Sequence, residues 1–262
     1  MHPVLFEIPF FGGIPVFSYG VLVATGFLVG SFWVKREAMR VGISPERAMD
    51  LLFYIIIAAL VGSRVLHILV SDLDRVLENP LLLFKVWEGG LVFYGGLIGA
   101  LLVSIWYVRK YRLPWLIYFD VFAPAIPLGH AIGRLGCLMA GCCYGKVVQG
   151  NPWYALVFPE TGRSFAPAGI PLYPTQLMES AAELLVFVIL FFLRRRKKFN
   201  GQLMATYLML YAVVRSTIEF FRGDIERGFI IDPWLSTSQG IGIVMFLAGL
   251  SMYLWQWRKK AA

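Results

Sequence analysis

Gly133-Arg134-Leu135-Gly136-Cys137-Leu138-Met139-Ala140-Gly141-Cys142-Cys143-Tyr144-Gly145 closes a long apolar segment of this chain. Thirteen residues hold one arginine, four glycines and all three cysteines. A charge at membrane depth is costly, so an ionisable group there points to function by default. Glycine lets the backbone bend tightly and lets other groups approach closely. An arginine beside bent backbone with free N–H groups is suited to cradling a phosphate. The competing reading is a glycine-rich kink with one snorkelling arginine.

The rest of the chain places this stretch in a bilayer. Of 262 residues, 58% are hydrophobic and 15% are charged, and the mean hydropathy is +0.69. Soluble domains carry about 25% charged residues. So apolar a chain has too little polar surface for water, and reads as a polytopic membrane protein. The formal charge of +8 falls in clusters between apolar runs, as in cytoplasmic loops, which argues against nucleic acid as a partner. Met1 to Gly13 lacks a basic n-region, so no cleavable signal peptide is expected.

The expected architecture is all-α, with seven transmembrane helices over approximately 16–34, 48–70, 91–108, 115–134, 177–193, 202–221 and 239–257. Pro124 and Pro127 interrupt the fourth span, and Gly89, Gly90, Gly95, Gly96 and Gly99 mark the third for close helix contact or a broken helix. Basic residues set the orientation. With the N-terminus outside, Lys35, Arg36, Arg40, Arg47, Arg109, Lys110, Arg112, Arg194 to Lys198 and Arg258 to Lys260 lie inside. Arg75, Lys85, Lys146, Arg163, Arg222 and Arg227 lie outside. That bias predicts an outer N-terminus and a cytoplasmic C-terminus. Trp33, Trp87, Trp115, Trp234, Trp255 and Trp257 fall near span ends, as interfacial aromatics do. The domain expectation is one polytopic unit over 1–262, with a small irregular outer head over about 144–173 that carries short strands. No internal repeat is visible, which leaves inverted-repeat transport without support.

Polar side chains recur where lipid should exclude them. Arg64 sits mid-span in Gly62-Ser63-Arg64. Tyr211, Arg215 and Glu219 are spaced every four residues and share a helix face, with Arg222 one turn further on. Gln176, Glu179 and Glu183 share another face, and His130 and Asp120 flank the fourth span. On its own, Arg215 with Glu219 reads as a structural i, i+4 pair. Arg134, Arg215 and Arg222 together, mapped to the outer leaflet with few carboxylates nearby, suggest an anionic ligand such as a phospholipid headgroup. Adjacent Cys142 and Cys143 suit no mutual disulfide, Cys137 could oxidise with Cys142 if the loop folds back, and with only His130 near in sequence no metal is assigned; buried inert thiols are the expectation.

On these residues the chain resembles the prolipoprotein diacylglyceryl transferases along nearly its whole length. The resemblance rests on Phe17-Ser18-Tyr19-Gly20, Gly62-Ser63-Arg64, the run from Trp87 to Gly99, Gly133 to Gly145, Tyr173-Pro174-Thr175-Gln176-Leu177, and Arg215 to Arg222. It implies transfer of the sn-1,2-diacylglyceryl group of phosphatidylglycerol to the lipobox cysteine of a prolipoprotein signal peptide. A thioether forms, glycerol 1-phosphate leaves, and no metal or soluble cofactor takes part. The location implied is the bacterial cytoplasmic (inner) membrane. Arg134 and Arg215 match the family's key arginines, and Tyr19, Glu219 and Gly145 also fall at functional positions. Many members have His at Tyr94, Asn at Cys137 and Glu at Cys142.

The implied reaction needs a thiolate, a stabilised leaving phosphate and positioning. The catalytic set is then Arg134, Arg215, Tyr94 and Glu219. Arg134, Tyr19, Arg64, Gly145 and Arg222 bind the phosphatidylglycerol headgroup. Tyr94 is either the proton acceptor or an orienting group. A flippase built on the same arginines, or a thiol–disulfide enzyme built on the cysteines, are the competing classes; the absence of a Cys-x-x-Cys pair argues against the second.

Overall fold

The computed structural model describes residues 2–8, 14–84, 90–150, 152–160, 164–224, 228–231 and 234–261. Glu88 and Gly89 of the third-span motif, with Lys85, Trp87, Arg163 and Arg227, lie outside the described residues. The chain is mostly helical and divides into two compact units, one of Met1–Trp33 with Phe119–Ala262 and the other of Val34–Tyr118.

The first unit opens with an antiparallel pair, β1 (Val4–Ile8) and β2 (Ile14–Phe17), that leads into α1 (Ser18–Val41). Helix α5 (Trp115–Phe122) and helix α6 (Ala125–Ala140) form one long apolar segment broken at Ala123-Pro124. The break falls where the prolines predicted it, because a proline clashes with the preceding turn and donates no hydrogen bond. Helices α7 (Thr175–Leu193), α8 (Gln202–Glu219) and α9 (Thr237–Ala261) complete the unit, with α6 on α7, α7 on α8 and α8 on α9. Its apolar core gathers Ala123, Val186, Leu190, Leu203 and Tyr207. The segment between α6 and α7 carries β3 (Leu156–Val157) paired with β4 (Pro171–Leu172), beside a cluster of Leu138, Phe158, Ala166 and Leu172. A third pair, β5 (Phe229–Ile231) with β6 (Leu235–Ser236), precedes α9.

Asp120 closes the far end of this unit. Its carboxylate accepts from Lys197 Nζ at 2.9 Å and from the backbone N–H groups of Gly201 and Leu203, each at 2.8 Å. An anion at the start of α8 satisfies amides that have no partner within the helix and offsets the helix dipole.

The second unit holds α2 (Pro45–His67), whose N-cap Ser44 accepts from the Arg47 amide at 3.1 Å. A π-helical turn over Ile68–Asp72 and α3 (Leu73–Glu78) extend it. It packs along α4 (Phe93–Lys110). A Cβ on Gly62 would meet the carbonyl of Gly95, and one on Gly95 would meet that of Gly62. The two helices therefore touch backbone to backbone, which only small residues allow.

Among the described residues, five helical segments are long and apolar enough to cross a bilayer: Ser18–Val41, Pro45–Glu78, Trp115–Ala140, Thr175–Leu193 and Thr237–Lys260. The other two expected spans are helices of 18 residues each, α4 and α8, outside that set. Arg109 and Lys110 end the first of them and Arg215 and Glu219 lie in the second, which lowers their apolar character. The distribution of side chains is that of a protein in lipid. Leu28, Phe32, Leu102, Leu185 and Phe192 are exposed, while Gln176, Glu179, Glu183 and Glu219 are buried.

Candidate active site

The buried carboxylates of α7 face the polar end of α6. Glu179 is 2% exposed and Glu183 fully buried, on one helix face as their spacing predicts. Arg134 Nη2 lies 2.8 Å from Glu179 Oε1. Its Nε donates to His130 Nε2 at 3.1 Å, one helical turn back. The other ring nitrogen, Nδ1, lies 3.3 Å from Glu183 Oε1. The His130 ring thus sits between two carboxylates and fixes the guanidinium from a third side. Its Nη1 points at the Cys137 sulfur, 4.0 Å away. A thiol is a weak acceptor, so that edge of the fork is the one a phosphate oxygen can take.

Arg215 Nη1 pairs with Glu219 Oε2 at 2.9 Å, and its Nη2 donates to Ser238 Oγ at 3.2 Å. The ring of Tyr211, on the same face of α8, lies tilted against that of His130, with 5.9 Å between centroids. Arg222 follows the helix and binds the Asp224 carboxylate in a forked pair, with Nε 2.9 Å from Oδ1. The cation surplus expected from the sequence is therefore smaller than it seemed, because each of the three arginines has a carboxylate. The missing partners were Glu179, 45 positions from Arg134, and Asp224, beyond the helix.

Gly145 bridges Arg222 in antiparallel fashion, with the Lys146 amide donating to Phe221 O at 2.8 Å and the Gly223 amide to Tyr144 O at 3.1 Å. A Cβ on Gly145 would collide with the backbone and side chain of Tyr173. Glycine is required there by this close approach, and the contact seats Arg222. Tyr19, at the start of α1, packs against Gly136, where a Cβ would stand 3.2 Å from its ring. That places Tyr19 half a turn from Arg134.

Arg134, Arg215, Glu219, Tyr19, Gly145 and Arg222 all belong to the first unit. Arg64 and Tyr94 belong to the second. Arg64 is buried and donates to the carbonyls of Leu82, Leu83 and Gly90, holding that segment against α2. Tyr94, in the first turn of α4, is 41% exposed with its ring against Phe93.

After Gly141 (φ +75°) the chain turns back, and Cys143 itself has φ +58°. The sulfurs of Cys137, Cys142 and Cys143 lie within 4.8 Å of one another, and all three are free thiols. Hydrogen bonds from the Cys137 and Cys142 thiols, with the Arg134 and Arg222 charges, pull the Cys143 thiol well below its usual range. The Cys137 thiol and then Cys143 push Cys142 the other way. Sequence reasoning gave His130 no role, although its place four residues before Arg134, on the same helix face, was the available signal.

The family profile for prolipoprotein diacylglyceryl transferase matches residues 3–255. A phosphatidylglycerol–prolipoprotein diacylglyceryl transferase of Chromohalobacter salexigens is 38% identical over 251 residues, 95% of this chain and 91% of its own. The protein of that name in Geobacter sulfurreducens is 35% identical over 264 residues, covering 99% of this chain and 97% of its own. One in Acinetobacter baumannii is 32% identical over 253 residues, 95% of this chain and 91% of its own. With matches of this extent laid over a buried arginine framework, the chain belongs to the prolipoprotein diacylglyceryl transferase family.

Proposed function

We propose that this protein transfers the sn-1,2-diacylglyceryl group of phosphatidylglycerol to the lipobox cysteine thiol of a prolipoprotein signal peptide. The observation that carries the reading is the Arg134 guanidinium. It is held by Glu179 and His130 with one edge turned to a weak acceptor. The bilayer supplies the donor lipid. Arg134 and Arg215 bind its phosphate, with Glu219 holding the second fork in place. Tyr19, Gly145, Arg222 and Arg64 bind or shape the headgroup site, and Tyr94 orients the headgroup or takes the thiol proton.

Chemically, the incoming sulfur forms a bond to the glyceryl carbon that carries the phosphate. The C–O bond to phosphate breaks, and its electron pair leaves on glycerol 1-phosphate. Charge builds on the departing phosphate, where the two forks stabilise it. A free thiol has a pKa of about 8.5, so a cationic site assists its ionisation. No soluble cofactor is needed for the displacement. The reading has seven spans, including α4 and α8, an outer N-terminus and a cytoplasmic C-terminus in the bacterial cytoplasmic membrane. The chain acts as one polytopic domain with 144–173 as its outer head.

The test is mass spectrometry of a lipobox-cysteine peptide incubated with the purified protein and phosphatidylglycerol. Addition of a diacylglyceryl mass to the sulfur is the expected result. An unmodified peptide, beside an active relative as positive control, overturns the reading, and lipid movement between leaflets without product would favour transport.

A further inference from the structure

We propose that Cys137, Cys142 and Cys143 form a binding site for a thiophilic divalent cation of the Zn2+ class, with three sulfur ligands and one open position. The first ground is distance. Zinc binds thiolate at about 2.3 Å, which sets its sulfur ligands about 4 Å apart. The three sulfurs here lie within 4.8 Å of one another, so small side-chain rotations complete the geometry.

The second ground is how the thiols are brought together. Cys137 lies in the last turn of α6, and the chain must reverse to return two more thiols to it. Gly141 makes the reversal in the left-handed region, and the Cys142 amide donates back to Cys137 O at 3.1 Å. Gln176 Nε2 holds the Cys142 carbonyl and Thr175 Oγ1 the Cys143 carbonyl, each at 2.9 Å. Cys143 then adopts φ +58°, a conformation that glycine or asparagine takes at lower cost. Strain of this kind persists where the side chain has a task. A disulfide would use two of these sulfurs and strand the third, whereas a cation uses all three.

Charge and ligand count agree. Three thiolates carry three negative charges, of which a divalent cation offsets two. The Arg134 guanidinium lies beside the remaining charge, 4.0 Å from the Cys137 sulfur, while itself paired with Glu179. His130 is not a fourth ligand, since its Nε2 accepts from Arg134 and its Nδ1 faces Glu183. Three protein ligands leave the last tetrahedral position to water or an added donor. Cys142 and Cys143 are partly exposed, so an ion can enter. The site does not rest on the transfer reaction, and its test is independent of activity.

The full chain, purified in detergent and kept reduced, is titrated with Cd2+ as the probe. The thiolate-to-Cd2+ charge-transfer band is followed in the ultraviolet, and bound Zn2+ is counted by mass spectrometry after Zn2+ loading and dialysis. One equivalent per chain is expected, with all three thiols protected from alkylation. Losing an outer partner of a metal site costs about 10- to 100-fold in affinity. Cys137→Ser, Cys142→Ser and Cys143→Ser should each cost at least that. Alkylation protection in the unaltered chain decides the matter if a variant fails to fold. No band, unprotected thiols, equal affinity in the folded variants, or a Cys137–Cys142 disulfide in the purified chain would each overturn the proposal.

Discussion

Arg134 and Glu179, 45 positions apart in the chain, meet at 2.8 Å with both side chains nearly buried. The pair fixes where the arginine fork points, which separates its effect on stability from its effect on transfer. Arg134→Ala should lower transfer by about 100- to 1,000-fold, the range seen when a donor to a developing anion is removed. Arg134→Lys should recover little, because an ammonium cannot grip a phosphate through two parallel hydrogen bonds. Glu179→Gln should lower the melting temperature by leaving a buried arginine without its anion. The double variant Arg134→Met with Glu179→Gln should regain stability and remain inactive, measured by thermal unfolding beside a diacylglyceryl-transfer assay.

Arg215 is held differently, by a partner on its own helix and by Ser238 of α9. Arg215→Ala should lower transfer by a factor similar to that of Arg134→Ala, about 100-fold or more. Ser238→Ala should cost less than Arg215→Ala, since it removes one hydrogen bond to a charged group, roughly 1.5–3 kcal/mol, and leaves the Glu219 pair in place. Steady-state rates with phosphatidylglycerol would separate the two, and full activity in Arg215→Ala would remove that residue from the mechanism.

These two arginines show what one sequence can reveal. Helical spacing within a single element was legible. Arg215 with Glu219, and Glu179 with Glu183, fall on the faces their intervals predict, and Pro124 marks the break before α6. Contacts between elements were not legible, because nothing local encodes which of several buried carboxylates an arginine will meet. Arg64 illustrates this: the sequence marks a cation mid-span, and only the structure shows its guanidinium donating to the carbonyls of Leu82, Leu83 and Gly90. The convergence of the cysteines depends on positive φ at Gly141 and Cys143, and only the first is a residue whose identity signals that conformation. The carboxylate of Asp120 was visible as a polar residue in an apolar run, but its partners are amides 81 and 83 positions away.

His130 and Glu183 stand 3.3 Å apart, with the carboxylate fully buried. His130→Ala would strand that carboxylate, and breaking a buried pair from one side costs about 3–5 kcal/mol. Replacing both, as His130→Phe with Glu183→Leu, should cost markedly less than His130→Ala alone. A double-mutant cycle on thermal unfolding measures the coupling, and additive effects would show that the contact contributes nothing. His130→Ala should also lower transfer, since it frees the Arg134 Nε that the ring holds at 3.1 Å.

Gly145 ties the segment after α6 to the end of α8 through its backbone bridge to Arg222. An alanine methyl there would meet the Tyr173 backbone and side chain, and neither side gives way easily: Tyr173 N is bound to Lys146 O at 3.0 Å, and its ring packs on Phe221 at 5.4 Å. Overpacking of this kind costs about 1–3 kcal/mol. Gly145→Ala should therefore lower the melting temperature and displace Arg222, with transfer falling more than stability if Arg222 contacts the headgroup. Adding Tyr173→Ala would leave in place the carbonyl and the Cβ that crowd the new methyl, so little rescue is expected. Complete rescue would locate the whole effect in the ring, and unchanged melting in Gly145→Ala would mean that the Gly145 and Tyr173 backbones can separate without strain.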